Sequence, residues 1–338
     1  RNRLIYVEAS RGCPFKCEFC LSSLDRTSKP FELGSFLDEM DELYQRGARN
    51  FKFIDRTFNL KVSSSIAILE FFLQRMSDDL YLHFEVVPDN LPDKLKEVIQ
   101  RFPQHALQFE IGVQSFDEDI QALISRKQNN QKSIENLKWL RESSHAYIHA
   151  DLIFGLPSDT LDNFAESFNQ LVSLNPHEIQ LGILKRLRGV PLNRHNQHYQ
   201  MCYNPEAPYN ILQTRDIDFP TMQRVNRFAR FWDMIANSGR FKSTLPLILG
   251  DSAFTGFMQL SDDLYRSAGS TWKIALRRLF TLVYESLNNR TDVDERVLYE
   301  ALRHDYSRSG EKASFESLLE KSPRIPRIGV ANRRQQSH

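Results

Sequence analysis

The sequence predicts an α/β fold: an open partial (βα)6 barrel in residues 1–190, an irregular linker (191–220) and a mainly α-helical C-terminal domain (221–338) with a loose basic tail. Between residues 4 and 188, short apolar segments alternate six times with amphipathic helical segments, at a period of about 30 residues. This alternation is typical of parallel strands joined by crossover helices. Six units are too few for an eight-stranded barrel, so we expect an open one. Beyond residue 187 the alternation gives way to helical periodicity.

Each predicted strand is short and apolar, and a helical segment follows each of the first five. In parallel α/β folds the loops at the carboxyl ends of the strands carry the chemistry. We therefore expect the functional residues at these ends of the sheet. The six strands are LIYVEA (4–9), NFKFID (50–55), LHFEVV (82–87), LQFEIGV (107–113), YIHADLIFG (147–155) and HEIQLGILK (177–185).

The second half of the chain is predicted to be different in kind. Residues 191–220 are rich in Pro, Asn, Gln and aromatic residues, which favours an irregular connection. Four segments with helical periodicity follow, at 222–238, 250–268, 271–289 and 294–309. Residues 323–338 are basic and contain proline, so we expect a loose end rather than a packed element.

Composition excludes several classes of protein. The chain has 338 residues, and its 44 Lys and Arg nearly balance its 43 Asp and Glu, so no global basic field recruits nucleic acid. No apolar run approaches the roughly 20 residues of a membrane span, and the first residues lack the features of a signal peptide. Three of the four cysteines lie too close together for ordinary disulfides. We expect a cytoplasmic protein, and the start at an arginine, without methionine, is typical of a piece of a longer chain.

Three cysteines directly follow the first strand. Cys13, Cys17 and Cys20 have CxxxCxxC spacing within SRGCPFKCEFC. Three thiolates so close together indicate a metal, and a site with three protein ligands leaves a metal position free for a substrate or cofactor. Structural zinc, completed by a distant histidine or by Cys202, is the alternative that spacing alone leaves open.

Polar side chains mark the ends of the later strands. Glu85 and Asp151 stand in otherwise apolar strands, where an unpaired carboxylate is costly to bury, so each needs a partner. We expect these residues to converge with the cysteines on one mouth of the barrel. The polar positions are Asp55, Arg56 and Thr57 after the second strand, Glu85 in the third, Gln114 and Ser115 after the fourth, Asp151 in the fifth and Lys185 after the sixth.

The cysteine motif resembles that of the radical S-adenosylmethionine (SAM) enzymes, in which CxxxCx(aromatic)C follows the first strand of a partial (βα)6 barrel. Cys13, Cys17, Phe19 and Cys20 occupy this pattern. The resemblance implies that the cysteines hold three irons of a 4Fe-4S cluster, while the methionine part of SAM chelates the fourth. Phe19 would pack near the adenine. The implied activity is reductive cleavage of SAM to a 5′-deoxyadenosyl radical, with electrons from a donor such as a flavodoxin or ferredoxin.

Four further segments resemble the oxygen-independent coproporphyrinogen oxidase branch of these enzymes. They are FEVVPDNL, EIGVQSF, QALISRKQ and DLIFGLP. By this resemblance Glu85, Gln114, Arg126 and Asp151 are candidate SAM contacts. Asp55 and Ser115 are further candidates for cofactor binding, from their positions at the ends of strands.

Two more segments resemble the cobalamin-binding radical SAM subfamily, in the branch with a C-terminal helical domain of unknown function. KFIDRTFN stands where other members have a Gly-Gly-Glu-type motif, and GILKRLRG follows the last strand. The resemblance implies cobalamin as a further cofactor and methylation of an unactivated carbon of a small-molecule or peptide substrate. In that subfamily a cobalamin domain precedes the barrel, and no such domain is present in this sequence. Rearrangement, dehydrogenation or ring contraction without methyl transfer is the alternative, and a structural metal-binding module is the alternative from another class.

Overall fold

The computed structural model of the protein describes residues 3–25, 27–311 and 314–321. Its main sheet is parallel, with the strand order β1-β4-β5-β6-β7-β8, so β1 and β8 are its edges and the sheet stays open. Two small antiparallel pairs, β2 with β3 and β9 with β10, flank it. The strands are β1 (Leu4–Val7), β2 (Ser10–Arg11), β3 (Lys29–Pro30), β4 (Asn50–Phe53), β5 (Tyr81–Val86), β6 (Leu107–Gln114), β7 (Tyr147–Phe154), β8 (Glu178–Ile183), β9 (Cys202–Tyr203) and β10 (Ile211–Gln213).

Helices connect the sheet strands in the order that the sequence predicts. One helix crosses over between successive sheet strands, except between β6 and β7, where there are two. The predicted α/β fold with a helical C-terminal region is therefore confirmed. The helices are α1 (Leu33–Gln45), α2 (Val62–Leu73), α3 (Asp93–Ile99), α4 (Glu118–Leu123), α5 (Asn130–Ser143), α6 (Leu161–Ser173), α7 (Phe219–Trp232), α8 (Leu245–Leu249), α9 (Ala253–Ala268), α10 (Leu276–Asn288), α11 (Glu295–Ser307) and α12 (Phe315–Lys321).

The two faces of the sheet have opposite character because side chains alternate along each strand. One face is aromatic and fully buried: the ring of Phe53 lies 4.4 Å from that of Phe84 and 6.2 Å from that of Phe72 on α2. The other face is polar over four neighbouring strands. This polar face forms the inside of the open barrel and positions the site. It carries Lys52, His83, Glu85, Glu110, Gln114, His149 and Asp151.

The C-terminal helices pack on the barrel through a shared aromatic core. Phe168 on α6 lies 5.1 Å from Phe228 and 4.8 Å from Trp232 on α7, and 5.9 Å from Phe254 on α9, between ring centroids. These rings are almost fully buried. The burial agrees with the helical spacing of the aromatic residues in the sequence.

The stretch predicted as an irregular linker contains a 3-10 turn, Pro191–His195, and the small pair β9 and β10. The predicted loose basic tail, 323–338, lies outside the described residues. Among the described helices, none combines the length and the apolar character that crossing a membrane requires.

Candidate active site

A cavity of about 170 Å³ lies between the cysteine loop and the carboxyl-terminal parts of β5, β6 and β7. It brings together residues from widely separated parts of the chain, as expected of strand ends in a parallel sheet. Eight of the candidate residues line it: Cys13, Cys17, Phe19, Cys20, Glu85, Gln114, Arg126 and Asp151.

The three cysteines lie on one compact loop. The Cys20 amide donates to the carbonyl of Cys17 at 3.1 Å, and the Ser23 amide donates to the carbonyl of Cys20 at 3.2 Å. Cys13 is buried, whereas Cys17 and Cys20 are partly exposed. Turns inside the loop thus direct three thiols toward one cavity.

The three thiols of the loop suit an iron–sulfur cluster, which takes one thiolate on each of several irons. Within the part of the chain that the structure describes, no three His, Cys, Asp or Glu side chains are gathered around one ion position. Cys202, the fourth ligand in the zinc alternative, is exposed on β9 and does not line the cavity.

Arg126 connects the cysteine loop to β6. Its Nη1 lies 3.7 Å from the Sγ of Cys17, its Nη2 donates to the carbonyl of Gly112, and its Nε donates to Gln128 Oε1 at 3.0 Å. Burial raises the pKa of the Cys17 thiol, and the positive charge of Arg126 acts in the opposite direction. The guanidinium is thus the nearest counter-charge for a thiolate at Cys17 and a donor toward the cavity.

Two buried acceptor atoms in the site differ in their partners. Oε1 of Gln114 has no hydrogen-bond partner, whereas Oδ1 of Asp151 lies 3.2 Å from Nε2 of His149. Gln114 has a positive φ of 70°, where the pairing of β6 with β7 shifts register, and this irregular backbone ends the strand at the cavity. Burying an unpaired acceptor is costly, so the position of Gln114 Oε1 beside the cavity favours a bound group with hydrogen-bond donors.

The carboxylates of the site differ in their electrostatic environments. Burial raises the pKa values of Glu85 and Asp151. A hydrogen bond from His83, with help from Lys52, lowers the pKa of Glu110 to about 2. Glu110 therefore stays ionised. Glu85 lies 3.8 Å from Arg56 and Asp151 lies 3.2 Å from His149, and a ligand that brings further positive charge or donors stabilises both carboxylates.

Two candidate residues do not reach this cavity. The carboxylate of Asp55 accepts hydrogen bonds from the amide of Ala9 at 2.9 Å and from Ser10 Oγ at 2.7 Å, and it lines a neighbouring cavity. Ser115 is buried, and its Oγ accepts from the amide of Asp117 at 3.1 Å. Both residues follow strands, but donors from the protein itself engage their side chains.

Sequence reasoning overlooked two residues of the cavity. Glu110 and Gly112 line it from β6, on the same face as Gln114. Arg56 and Thr57 line it from the loop after β4, as their place after the second strand predicts. A Cβ at position 112 would lie 2.5 Å from the side-chain nitrogen of Gln114, so glycine leaves room for that amide. The two-residue alternation of Glu110, Gly112 and Gln114 was the signal in the sequence.

Comparisons with known proteins match two parts of the chain to families. Residues 7–171 match the radical SAM superfamily, and residues 197–332 match a family described as a protein of unknown function (DUF4080). A tRNA-2-methylthio-N(6)-dimethylallyladenosine synthase of Thermotoga petrophila is 26% identical over 227 residues, which are 64% of this chain and 49% of that protein. The chain thus spans about half the length of this relative.

Solved structures share the fold at low sequence identity. The radical SAM methyltransferase TsrM from Kitasatospora setae, with tryptophan and a SAM analogue bound, has a TM-score of 0.52 and 15% identity over 61% of this chain and 42% of its own. The cobalamin-dependent SAM radical enzyme OxsB, with aqua-cobalamin bound, has a TM-score of 0.53 and 14% identity over 89% of this chain and 58% of its own. The likeness to OxsB extends into the C-terminal helices.

Proposed function

We propose that the cysteine cavity cleaves SAM reductively to start a cobalamin-dependent methylation of an unactivated carbon. Residues 7–171 belong to the radical SAM superfamily, whose members use a 4Fe-4S cluster and SAM. The observation that carries the radical step is the convergence of Cys13, Cys17 and Cys20 on one cavity, beside the unpartnered amide oxygen of Gln114. Bound there, the cluster and SAM supply the chemistry: one electron from a flavodoxin- or ferredoxin-type donor breaks a carbon–sulfur bond, giving methionine and a 5′-deoxyadenosyl radical.

In this proposal the protein's own residues bind and orient the cofactor. The unpartnered amide oxygen of Gln114 and the carboxylate of Asp151 accept hydrogen bonds from the amino group or ribose hydroxyls of SAM. Arg126 pairs with the carboxylate of SAM while it stays bonded to the Gly112 carbonyl. Phe19 offers an apolar surface to the adenine. The raised pKa values of Glu85 and Asp151 mean that both gain from a cationic ligand.

Methyl transfer is the finer part of the proposal. It is supported by the resemblance of two segments to the cobalamin-binding subfamily and by the fold shared with TsrM and OxsB. The similarity to a methylthio synthase supports a second candidate, in which the same cavity serves radical chemistry without cobalamin. The substrate in either case is a small molecule or peptide.

The radical step is tested by anaerobic reconstitution with iron and sulfide, followed by reduction in the presence of SAM. We expect a brown protein that contains about four irons and forms 5′-deoxyadenosine. Cys17→Ala should lose both properties, whereas the matched control Cys202→Ala should keep them, because Cys202 is exposed outside the cavity. One equivalent of zinc without iron, or unchanged product formation in Cys17→Ala, would contradict the assignment.

Methyl transfer has its own test. With cobalamin added under reducing conditions, we expect S-adenosylhomocysteine to form alongside 5′-deoxyadenosine, and to disappear when cobalamin is omitted. Formation of 5′-deoxyadenosine alone under both conditions would favour the second candidate.

A further inference from the structure

Two arginines on α7 lie flat against aromatic rings of the C-terminal helical region. The guanidinium carbon of Arg230 is 3.9 Å from the ring centroid of Trp272, and that of Arg227 is 4.4 Å from the ring centroid of Tyr265. The two arginines are three residues apart on one helix, so they are neighbours on its surface. With Gln223 and Asn226 they line a cavity of about 460 Å³, which we call the arginine groove.

The charges of Arg227 and Arg230 are not neutralised. Among the described residues neither arginine forms an ion pair, and the Nε atom of each is buried without a hydrogen-bond partner. Nearby arginines behave differently: Arg224 Nε donates to Asp262 at 2.7 Å, and Arg266 Nη1 donates to Asp263 at 2.8 Å. A guanidinium stacked on a ring keeps the edge of its fork available for a planar oxyanion.

Packing alone is a weak explanation for this arrangement. Trp272 is 65% exposed, so its contact with Arg230 covers little apolar surface. An exposed cation–π contact contributes about 0.5–1 kcal/mol, whereas a buried, unpaired donor costs about 1–3 kcal/mol. Two such donors side by side therefore favour a bound acceptor.

Two further cavities lie between the arginine groove and the cysteine cavity, and each shares lining residues with the next. Asn226 and Arg230 also line a cavity of about 520 Å³ along β8, together with Glu178, Asp233 and Lys185. That cavity shares Gln180, Gly182, Ile183 and Lys185 with a smaller one of about 270 Å³. The smaller one shares Phe19, Gln114 and Asp151 with the cysteine cavity.

We propose that Arg227 and Arg230 bind the carboxylate or phosphate end of an elongated substrate whose reacting part lies at the cysteine cavity. This rests on the proposed function, because it names the substrate class for the same site. The row of cavities provides the path between the two ends. In the cavity along β8, Lys185 adds a positive charge beside the carboxylates of Glu178 and Asp233.

The arginine groove is tested by binding, without turnover. The full chain, without iron or SAM, is titrated with inorganic pyrophosphate and separately with glutarate at matched ionic strength, by calorimetry and by tryptophan fluorescence. We expect saturable binding of at least one probe, weakened about tenfold or more in Arg227→Gln and Arg230→Gln. Arg266→Gln, which removes an equal charge from an exposed, ion-paired arginine on α9, should bind as the parent does.

Tryptophan fluorescence tests whether the probe binds beside Trp272. The fluorescence change on binding should disappear in Trp272→Phe, because Trp272 stacks on Arg230. Binding measured by calorimetry should persist in this variant. Preference for pyrophosphate indicates a phosphate end, and preference for glutarate a carboxylate end. The absence of saturable binding to either probe, or equal weakening in Arg266→Gln, would overturn the proposal. Because the binding measurement uses the chain without cofactors, its result does not depend on whether the protein cleaves SAM.

Discussion

The carboxylate of Glu18, between the second and third cysteines, accepts hydrogen bonds of 2.9 and 2.7 Å from the guanidinium of Arg194, 176 residues further along the chain. Ser125 Oγ donates to the same carboxylate at 2.6 Å, and the amide of Leu192 donates to the Glu18 carbonyl at 3.2 Å. One side chain thus connects the cysteine loop to the turn before Arg126 and to the stretch after the last sheet strand.

Replacement of Glu18 by glutamine should destabilise the cysteine loop. Glu18 is 4% exposed and its bonds to Arg194 and Ser125 depend on a two-oxygen acceptor, so Glu18→Gln leaves a donor without a partner. Since Arg194 is largely exposed, we expect a loss of about 1–3 kcal/mol in the free energy of unfolding, below that of a fully buried pair. Urea denaturation measures it. In the control Glu8→Gln, which breaks the exposed pair with Arg11, little change is expected; equal losses in the two variants would contradict a special role of Glu18.

Alanine at position 12 should disrupt the loop directly before Cys13. Gly12 has a φ of 89°, and a Cβ there would fall on the carbonyl oxygen of Thr27. We expect a lower melting temperature and less iron bound after reconstitution, because the loop must move to relieve the clash. Gly47→Ala is the matched control, since Gly47 has a φ of 93° with open space around it. If both variants lose the same stability, backbone strain alone accounts for the effect.

Arg126→Lys should separate SAM binding from cluster binding. The lysine keeps the charge near Cys17 but cannot bond the Gly112 carbonyl and a carboxylate at the same time, as the forked guanidinium can. We expect the iron content to remain and the dissociation constant of SAM to rise about tenfold. Equilibrium dialysis with labelled SAM measures this, with Lys132→Arg as the control, because Lys132 is exposed on α5 and does not line the cavity. Unchanged SAM affinity would show that Arg126 acts on the loop alone.

The sheet was predictable because the alternation of apolar and polar residues along a strand reflects which side chains are buried. Phe53 and Phe84 alternate with Lys52 and Glu85 as the two faces of the sheet require, and the helical segments fall between them. The small pair β9 and β10 was not predictable, because two or three residues are too few to show a period. Its pairing depends on tertiary contacts.

The site was only partly predictable. Cys13, Cys17 and Cys20 form a local motif, so their proximity follows from spacing alone. Asp55 is a different case: its position after a strand did not reveal that the amide of Ala9 and the hydroxyl of Ser10 engage its carboxylate, because these partners are 45 or more residues away. The anchoring role of Glu18 was hidden for the same reason.

A histidine at the start of β8 should make the stability of the protein sensitive to acid. Nδ1 of His177 accepts a 2.9 Å hydrogen bond from the amide of Ile148, and burial, reinforced by the charges of Arg141 and Lys242, lowers its pKa to about 4. The unfolded chain binds this proton near pH 6.5, so the contribution of His177 to stability is present above that pH and is lost as the pH falls toward 4.

The variant His177→Asn should remove this part of the pH dependence. We expect its free energy of unfolding to change less between pH 7 and pH 5 than that of the parent protein, as urea denaturation at each pH would measure. His145→Asn changes an exposed histidine and should leave the slope as it is. A parent-like slope in His177→Asn would contradict the assignment.

Asp55 either binds a cofactor or supports the backbone at Ala9 and Ser10, and two substitutions at this position distinguish the two roles. The side chain is 2% exposed, and burial raises the pKa of its carboxyl, so a neutral isostere is tolerated electrostatically. In Asp55→Asn the amide oxygen can accept from Ala9 while the amide nitrogen donates to the Ser10 hydroxyl, which accepts as well as donates. In Asp55→Ala both bonds are lost and the Ala9 amide is left without its acceptor. We therefore expect Asp55→Ala to lose about 1–3 kcal/mol of unfolding free energy and Asp55→Asn to stay near the parent protein, with unchanged SAM affinity. If a carboxylate at position 55 contacts SAM instead, Asp55→Asn will weaken SAM binding in the iron-loaded protein while its stability is retained.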